Sequence, residues 1–351
     1  MKSLVALVLL GQILGSITTS PPFPPLNTRL PACDDPEVEH AAAFAVHHIN
    51  THTLHGYKIA LNRIESVKVL PRRPKGDMYY LEMDLLETTC HVLDPLPAAN
   101  CTVRSKMEHA VEADCDVKLL SLDGNFKVLS TKCHSSPDSA EDLRKICPDC
   151  TPISKLNDIG VVNAVDVALS EFNARNDTNH YYKLLEISRG KHTHLPPASH
   201  VEFAIVATNC TAQEAKDHIE DCHLGTGEHV HFGFCKATIF DRTVAGPADA
   251  KFPPGDAVDC TIFDQQAGFS HTHLTEHHLG KKIPSPGVGH TVLDLIHSHN
   301  DTHASHESHS AEVAVVEVAS PVVKRAVDPV PVAPILPVLQ QCPGKYHHFK
   351  I

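Results

Sequence analysis

The 351-residue sequence contains no tryptophan, and aromatic residues make up only 5% of it. Proteins that stack nucleobases or sugars use exposed aromatic rings, so this scarcity argues against a binding platform of that kind. Basic residues are also in the minority, with 30 Lys and Arg against 42 Asp and Glu, which gives a formal net charge of −12. Such a charge argues against nucleic acid as a partner and favours cationic partners or calcium.

Beyond the N-terminus, the sequence lacks any run of about 18 apolar residues, the minimum for a membrane-spanning helix. The N-terminus itself combines a basic Lys2, an apolar run through Leu10 and small or polar residues through Ser20. This is the pattern of a secretory signal peptide. We therefore predict a secreted, extracellular protein without a membrane span, cleaved around residues 18–20.

The sequence also lacks the patterns of catalysis. No nucleophile–base pair, phosphate-binding glycine loop or closed metal site is recognisable. We predict that the protein is not an enzyme and has no cofactor.

What the sequence does contain is twelve cysteines, an even number that predicts disulfides in a secreted chain. Two sets of four flank the stretch Cys147-Pro148-Asp149-Cys150, and the matching residues Cys90 and Cys210 lie 120 positions apart. A fixed offset of this size predicts a duplicated domain, with the short cysteine stretch as the joint. Sequence alone does not fix the connectivity, but the duplication favours Cys90–Cys101, Cys115–Cys133, Cys147–Cys150, Cys210–Cys222, Cys235–Cys260 and Cys33–Cys342.

Each copy begins with a helix and continues with strands. Asp35 and Asp158 can cap the two helices, and apolar residues recur at helical spacing after each. Alternating strands follow, and Asp123-Gly124 is a strong hairpin signal. A helix laid across an antiparallel sheet is an α+β architecture. The predicted organisation is a signal peptide (1–20), a first domain (21–146), the joint (147–152), a second domain (153–266) and a mostly disordered His- and Pro-rich tail (267–351) tethered by its last cysteine.

Several modification and metal sites are predicted from short patterns. Asn-x-Thr sequons predict N-linked glycans at Asn100, Asn176, Asn209 and Asn300. Ser139 and Ser305 fit a Ser-x-Glu phosphorylation pattern, which would add charge that attracts calcium. Neutral histidines can bind zinc or copper weakly, and the tail clusters them at His271, His273, His277 and His278. A solvated low-complexity tail is the competing interpretation of these histidines. Separately, Lys324-Arg325 is a candidate cleavage site for a proprotein convertase.

Specific stretches of the sequence resemble the fetuins, plasma glycoproteins built from tandem cystatin-like domains. The likeness covers residues 33–265 and the last ten, and it is strongest to the fetuin-A branch. The chain is also similar to the antihaemorrhagic fetuins of snake serum, which inhibit venom metalloproteinases. The stretches that carry the resemblance are Cys33–Glu37, Leu86–Pro95, Ser136–Asp142, Cys342–Lys345 and His348–Lys350.

The resemblance implies that the protein binds calcium phosphate and limits ectopic mineralisation. Glu82 and Asp84 are two residues apart on a predicted strand, so their carboxylates should project from one face about 6.6–6.8 Å apart. Calcium takes carboxylate oxygens as ligands. Glu87 is assigned to the same mineral-binding set, whereas Tyr80 stands where the family pattern has another acidic residue. An ordinary solvated strand face is the competing interpretation.

The alternative function is inhibition of secreted zinc metalloproteinases by Cys147-Pro148-Asp149-Cys150. A disulfide would hold Asp149 on a stiff loop, where its carboxylate could fill an open zinc position. The fetuin-B branch uses a matching segment against astacin-type proteases, although Thr151 replaces its following proline. A structural linker is the competing interpretation. Inhibition of cysteine proteases is less expected, because the turns at 71–76 and 192–200 lack the Gln-x-Val-x-Gly motif of cystatins.

Overall fold

A computed structural model of the chain describes residues 28–53, 55–72, 74–175, 180–224, 230–241, 255–263, 295–298 and 342–350. No helix within these ranges is long and apolar enough to cross a membrane. Several predictions lie outside the described residues: the signal peptide, Asn176, Asn300, Ser305, His271, His273, His277, His278 and Lys324-Arg325.

The first domain packs one helix across an antiparallel sheet. Asp35 caps the helix by accepting a hydrogen bond from the Glu37 backbone N–H at 2.9 Å. Small residues on the buried side of the helix, such as Ala41 and Ala45, let it lie close to the sheet. Asp123 and Gly124 have positive φ angles of 50° and 83° and form the tight turn of the last hairpin. The elements are α1 (Pro36–His52), β1 (Tyr57–Pro71), β2 (Asp77–His91), β3 (Val111–Leu122) and β4 (Asn125–Pro137).

The second domain repeats this plan, so the predicted α+β fold with two cystatin-like units is confirmed. One hairpin differs from the prediction of a loop over 192–200. The strands continue to His194 and restart at Pro197, because cross-strand pairing persists to the Leu195-Pro196 turn. The elements are α2 (Ala140–Ile146) before the joint, then α3 (Ile159–Arg175), β5 (Tyr182–His194), β6 (Pro197–Ala207), α4 (Ala212–Asp217), β7 (Phe232–Phe240) and β8 (Ala257–Phe263).

Two parts of the tail lie on the first domain. Strand β9 (Leu295–Ser298) pairs antiparallel with β4 and makes a five-stranded sheet, a strand that lies within the tail predicted to be mostly disordered. Residues 342–350, here called the C-terminal strap, run beside β1. Gly344 N–H donates to the Ile64 carbonyl, and His347 N–H donates to the Asn62 carbonyl, both at 2.8 Å. The two edge strands of the sheet offer unpaired backbone groups, and these segments satisfy part of them.

The two domains meet through an apolar contact flanked by charged residues. Tyr57 and Leu93 of the first domain pack with Phe234 and Phe263 of the second. The N-terminal end of β1 and the C-terminal end of β2 therefore face the second domain. The middle of the first sheet keeps one face open to solvent.

Candidate functional site

The open face of the first sheet carries two neighbouring pairs of carboxylates. In the β2–β3 register, Glu82 lies opposite Asp116 and Asp84 lies opposite Asp114. Residues directly opposite have Cβ atoms about 4.5–5.5 Å apart, and neighbours along a strand repeat at about 6.6–6.8 Å. The four residues therefore form a small rectangle, here called the acidic face. Sequence reasoning missed its β3 half, although Asp114 and Asp116 alternate around Cys115 as residues on one face of a strand do.

Two carboxyl groups at this end of the sheet have pKa values raised mainly by burial: Asp84 of the acidic face, and Glu112 beside it. Burial raises the pKa of Asp84 to about 6, with help from Asp114 and Glu65 and against the hydrogen bond from Asn62. Glu112, one step further along β3, has a pKa raised to about 7 by burial and by the nearby Asp138 and Asp84.

Asp84 is less accessible than the predicted exposed row requires. It is only 8% exposed, and its Oδ2 accepts a hydrogen bond from Asn62 Nδ2 at 2.9 Å. The same Asn62 amide donates to the carbonyl of Phe349 in the C-terminal strap at 3.1 Å. The strap and β1 thus cover Asp84, and the exposed carboxylates of the acidic face are those of Glu82, Asp114 and Asp116.

Glu87 does not belong to the acidic face, and the structure corrects that assignment. It is 7% exposed and lies 2.7 Å from Arg104 Nε and 2.9 Å from Arg189 Nη1. Burial raises the pKa of Glu87, while Arg189 and Arg104 oppose that shift. Because Arg189 comes from β5, the role of Glu87 is to join the two domains.

The carboxylates of the acidic face do not converge on one point. Within the described part of the chain, no group of three or more His, Cys, Asp and Glu side chains is placed to hold a single metal ion. The arrangement is a flat array of ligands on a sheet, which differs from a coordination cage.

The joint presents Asp149 at the surface. Cys147 and Cys150 form a disulfide, and the Cys150 N–H donates to the Cys147 carbonyl at 3.1 Å, which closes the turn around the exposed Asp149. Immediately after it, Ser154 N–H donates to the Gly190 carbonyl of β5 at 2.7 Å. The loop is therefore anchored to the second domain just beyond Asp149.

The remaining predicted residues are placed as follows. Asn100 and Asn209 are exposed, each beside a disulfide cysteine. Ser139 is exposed, and its Oγ caps α2 by accepting from Asp142 N–H at 3.0 Å. All twelve cysteines are paired, in the connectivity that the duplication favours: Cys33–Cys342, Cys90–Cys101, Cys115–Cys133, Cys147–Cys150, Cys210–Cys222 and Cys235–Cys260.

Comparison with known proteins gives consistent results along the chain. Residues 28–118 and 149–243 match the cystatin domain. The antihemorrhagic factor cHLP-B of Gloydius brevicauda is 49% identical over 100% of both chains. Alpha-2-HS-glycoprotein of Bos taurus is 50% identical over 76% of this chain and 71% of its own, and that of Homo sapiens is 41% identical over 100% of both.

Solved structures share the fold. Mouse fetuin-B in complex with crayfish astacin aligns with a TM-score of 0.53 and 22% identity, covering 68% of this chain and 74% of that one. Mouse fetuin-B in its inhibitory complex with human meprin beta aligns with a TM-score of 0.56 and 24% identity, covering 70% and 76%. At these identities the likeness concerns the fold alone.

Proposed function

The chain belongs to the fetuin family, whose members carry tandem cystatin domains, and we propose that it is a secreted plasma glycoprotein that binds calcium phosphate and limits ectopic mineralisation. Members of this family are inhibitors or binding proteins, and the chain is not an enzyme. The observation that carries the proposal is the acidic face, with its two opposed carboxylate pairs. Its exposed members Glu82, Asp114 and Asp116 form no ion pair with any described residue.

The flat arrangement favours mineral over a single calcium ion. Calcium takes six to eight oxygen ligands, and one opposed pair of carboxylates supplies only a fraction of them. Isolated ions should therefore bind weakly. A mineral surface presents many calcium ions at once and can engage Glu82, Asp114 and Asp116 together, so the weak contacts add.

The test is a precipitation assay with purified secreted protein in supersaturated calcium phosphate. The wild type should delay precipitation, and Glu82→Gln with Asp116→Asn should lose most of the delay. A matched control, Glu220→Gln with Asp221→Asn, removes the same charge from an exposed turn of the second domain. Equal delay by the wild type and the acidic-face variant would overturn the proposal.

Inhibition of secreted zinc metalloproteinases is a second candidate function, supported by a separate observation. Asp149 is exposed on a loop that a disulfide closes and that β5 anchors. Catalytic zinc keeps an open coordination position, which a carboxylate on a stiff loop can fill. The name antihemorrhagic factor and the fetuin-B complexes belong to other proteins, but they agree with this role for the joint.

This second function is tested with a panel of astacin-type and venom metalloproteinases. Asp149→Ala should weaken inhibition at least ~30-fold, the loss expected of an interface hot spot. Glu141→Gln, which removes an exposed charge from α2 on the other side of the joint, should inhibit like the wild type. If Asp149→Ala inhibits equally well, the joint is only a structural linker.

Modification and metal uptake complete the proposal. The exposed Asn100 and Asn209 are acceptors for N-linked glycans, and phosphorylation of Ser139 would add negative charge near Asp142. The histidines of the tail would bind zinc or copper weakly. Peptide mapping by mass spectrometry tests the first two, and metal titration of the full chain tests the third.

A further inference from the structure

We propose that the buried His109 positions the joint through one ring nitrogen, and that this contact makes the metalloproteinase inhibition sensitive to acid. This inference rests on the inhibitory role of Asp149 proposed above. His109 belongs to the first domain, is only 4% exposed, and adopts the left-handed backbone conformation with a φ angle of 62°. Its side chain contacts Ile153, three residues after Cys150.

The two ring nitrogens of His109 have different roles. Nδ1 accepts a hydrogen bond from the Ile153 backbone N–H at 2.9 Å. Nε2 lies 2.5 Å from the carbonyl oxygen of Asp138, to which it can only donate. Because a backbone N–H donates and a carbonyl accepts, both contacts form together only when the ring is neutral and carries its proton on Nε2.

These two contacts connect both sides of the joint. Asp138 lies two residues before α2, the helix that leads into the joint. Ile153 follows the joint and forms an isolated bridge with Lys191 of β5. His109 therefore holds the entry and the exit of the loop that presents Asp149 in one arrangement. Such preorganisation favours binding, because less conformational freedom is lost when the partner docks.

The bond from Ile153 is possible only while the His109 ring is neutral. Histidine is the side chain that changes its charge between pH 5 and 8, and a protonated ring carries an N–H on both nitrogens. Proton uptake and the Ile153 bond therefore exclude each other, so acid favours the form of the joint in which Ile153 is released. The Arg189 guanidinium, which donates to the His109 carbonyl at 2.8 Å, adds like-charge repulsion to a protonated ring.

Several other charged groups surround His109 and its two partners. They are Arg189 and Lys191 of β5, Glu87 of β2, Glu112 of β3, and Glu108 and Asp138 beside the ring. Among them, Glu112 titrates in the same pH range, because burial, Asp138 and Asp84 raise its pKa to about 7. An effect of Glu112 must therefore be separated from that of His109.

The experiment measures binding of the full-length secreted chain to crayfish astacin at pH 7.4 and pH 5.5. Two variants separate the ring nitrogens: the amide of His109→Asn can replace Nδ1 as the acceptor for Ile153, whereas the amide of His109→Gln can replace only Nε2 as the donor to Asp138. Between pH 7.4 and 5.5, the wild type should lose at least ~5-fold more affinity than His109→Asn, as expected for one hydrogen bond. At pH 7.4, His109→Gln should bind at least ~5-fold more weakly than His109→Asn.

Amide hydrogen exchange of Ile153 reports on the joint without the protease. After correction for the intrinsic exchange rate, its protection in the wild type should fall at least ~5-fold from pH 7.4 to 5.5, and it should stay constant in His109→Asn. Glu112→Gln removes the second group that titrates in this range and should behave like the wild type in both measurements. Circular dichroism melting verifies that each variant is folded.

The outcomes distinguish this inference from the function on which it rests. If the wild type and His109→Asn respond equally to pH, or if Glu112→Gln abolishes the response, His109 is not the acid-sensitive group and the inference is overturned. If Asp149→Ala binds astacin as tightly as the wild type, the inhibitory function fails, and the exchange of Ile153 alone decides whether His109 holds the joint. Equal exchange in the wild type and both His109 variants at both pH values would overturn the positioning role.

Discussion

Glu186 of the second domain and His91 of the first are joined by a contact of 2.7 Å between Oε1 and Nε2, and each side chain is only 1% exposed. Glu186 also accepts a hydrogen bond from the Gly56 N–H at 2.8 Å and lies 2.6 Å from His55 Nδ1. Burial disfavours its charge, but His91 and His55 outweigh burial and hold the pKa of Glu186 well below its usual range. This contact fixes the two cystatin units as one body.

Glu186→Gln should lower the free energy of unfolding by about 1.5–3 kcal/mol, because it removes the buried charged acceptor shared by His91, His55 and the Gly56 N–H. Because the folded pKa is depressed, the contribution is present above the unfolded pKa of about 4.3 and is lost progressively as pH falls from that value through the folded pKa. Urea unfolding at pH 7.4 and at pH 3 measures both effects. The control Glu171→Gln, at an exposed i, i+4 pair with Arg175, should change stability by less than about 0.5 kcal/mol. An equally small change for Glu186→Gln would contradict the role of the Glu186–His91 contact in joining the two domains.

Glu87→Gln should be strongly destabilising, whereas Glu82→Gln should leave stability nearly unchanged. Without the Glu87 carboxylate, the buried Arg104 and Arg189 lose a shared counter-charge, which costs about 3–5 kcal/mol. Glu82 is exposed and unpaired among the described residues, so its loss affects stability by less than about 0.5 kcal/mol. Chemical denaturation of both variants measures the difference. If Glu82→Gln were the more destabilising variant, Glu87 would not be the residue that joins the two domains.

The raised pKa values of Asp84 and Glu112, about 6 and about 7, make stability depend on pH. The folded state binds more protons than the unfolded state, so the stabilisation is fully present below the unfolded pKa values of about 4 and is lost as pH rises towards 7. Asp84→Asn/Glu112→Gln should therefore melt a few degrees higher than wild type at pH 8 in calcium-free buffer, and no higher at pH 4. Calorimetry across this range tests it; an equal gain at both pH values would mean that charge is not the cause.

Removal of the Cys33–Cys342 disulfide should cost about 2–5 kcal/mol, because this bond closes a sequence separation of 309 residues. Removal of Cys147–Cys150, which spans a separation of 3, should cost much less in the same chain-entropy account. Serine pairs at each site, compared by guanidinium unfolding, give the ranking. Equal losses would show that strain or local contacts, and not chain entropy, govern these bonds.

The sequence by itself determined the features that depend on near neighbours or on fixed spacing. The Asp35 cap and the Asp123-Gly124 turn follow from local backbone chemistry, and the offset of 120 between Cys90 and Cys210 exposes the duplication. Parity along β2 could also have separated Glu87 from Glu82 and Asp84, because odd and even residues of a strand face opposite sides.

Only the tertiary structure decided which carboxylates meet solvent. Asp84 shares its strand face with Glu82, but Asn62 and the strap cover it, and the Asn62–Phe349 bond joins residues 287 positions apart. Glu87 is buried by Arg189, which lies 102 positions away in the other domain. Strand periodicity assigns a side chain to a face, whereas its exposure depends on what distant parts of the chain pack against that face.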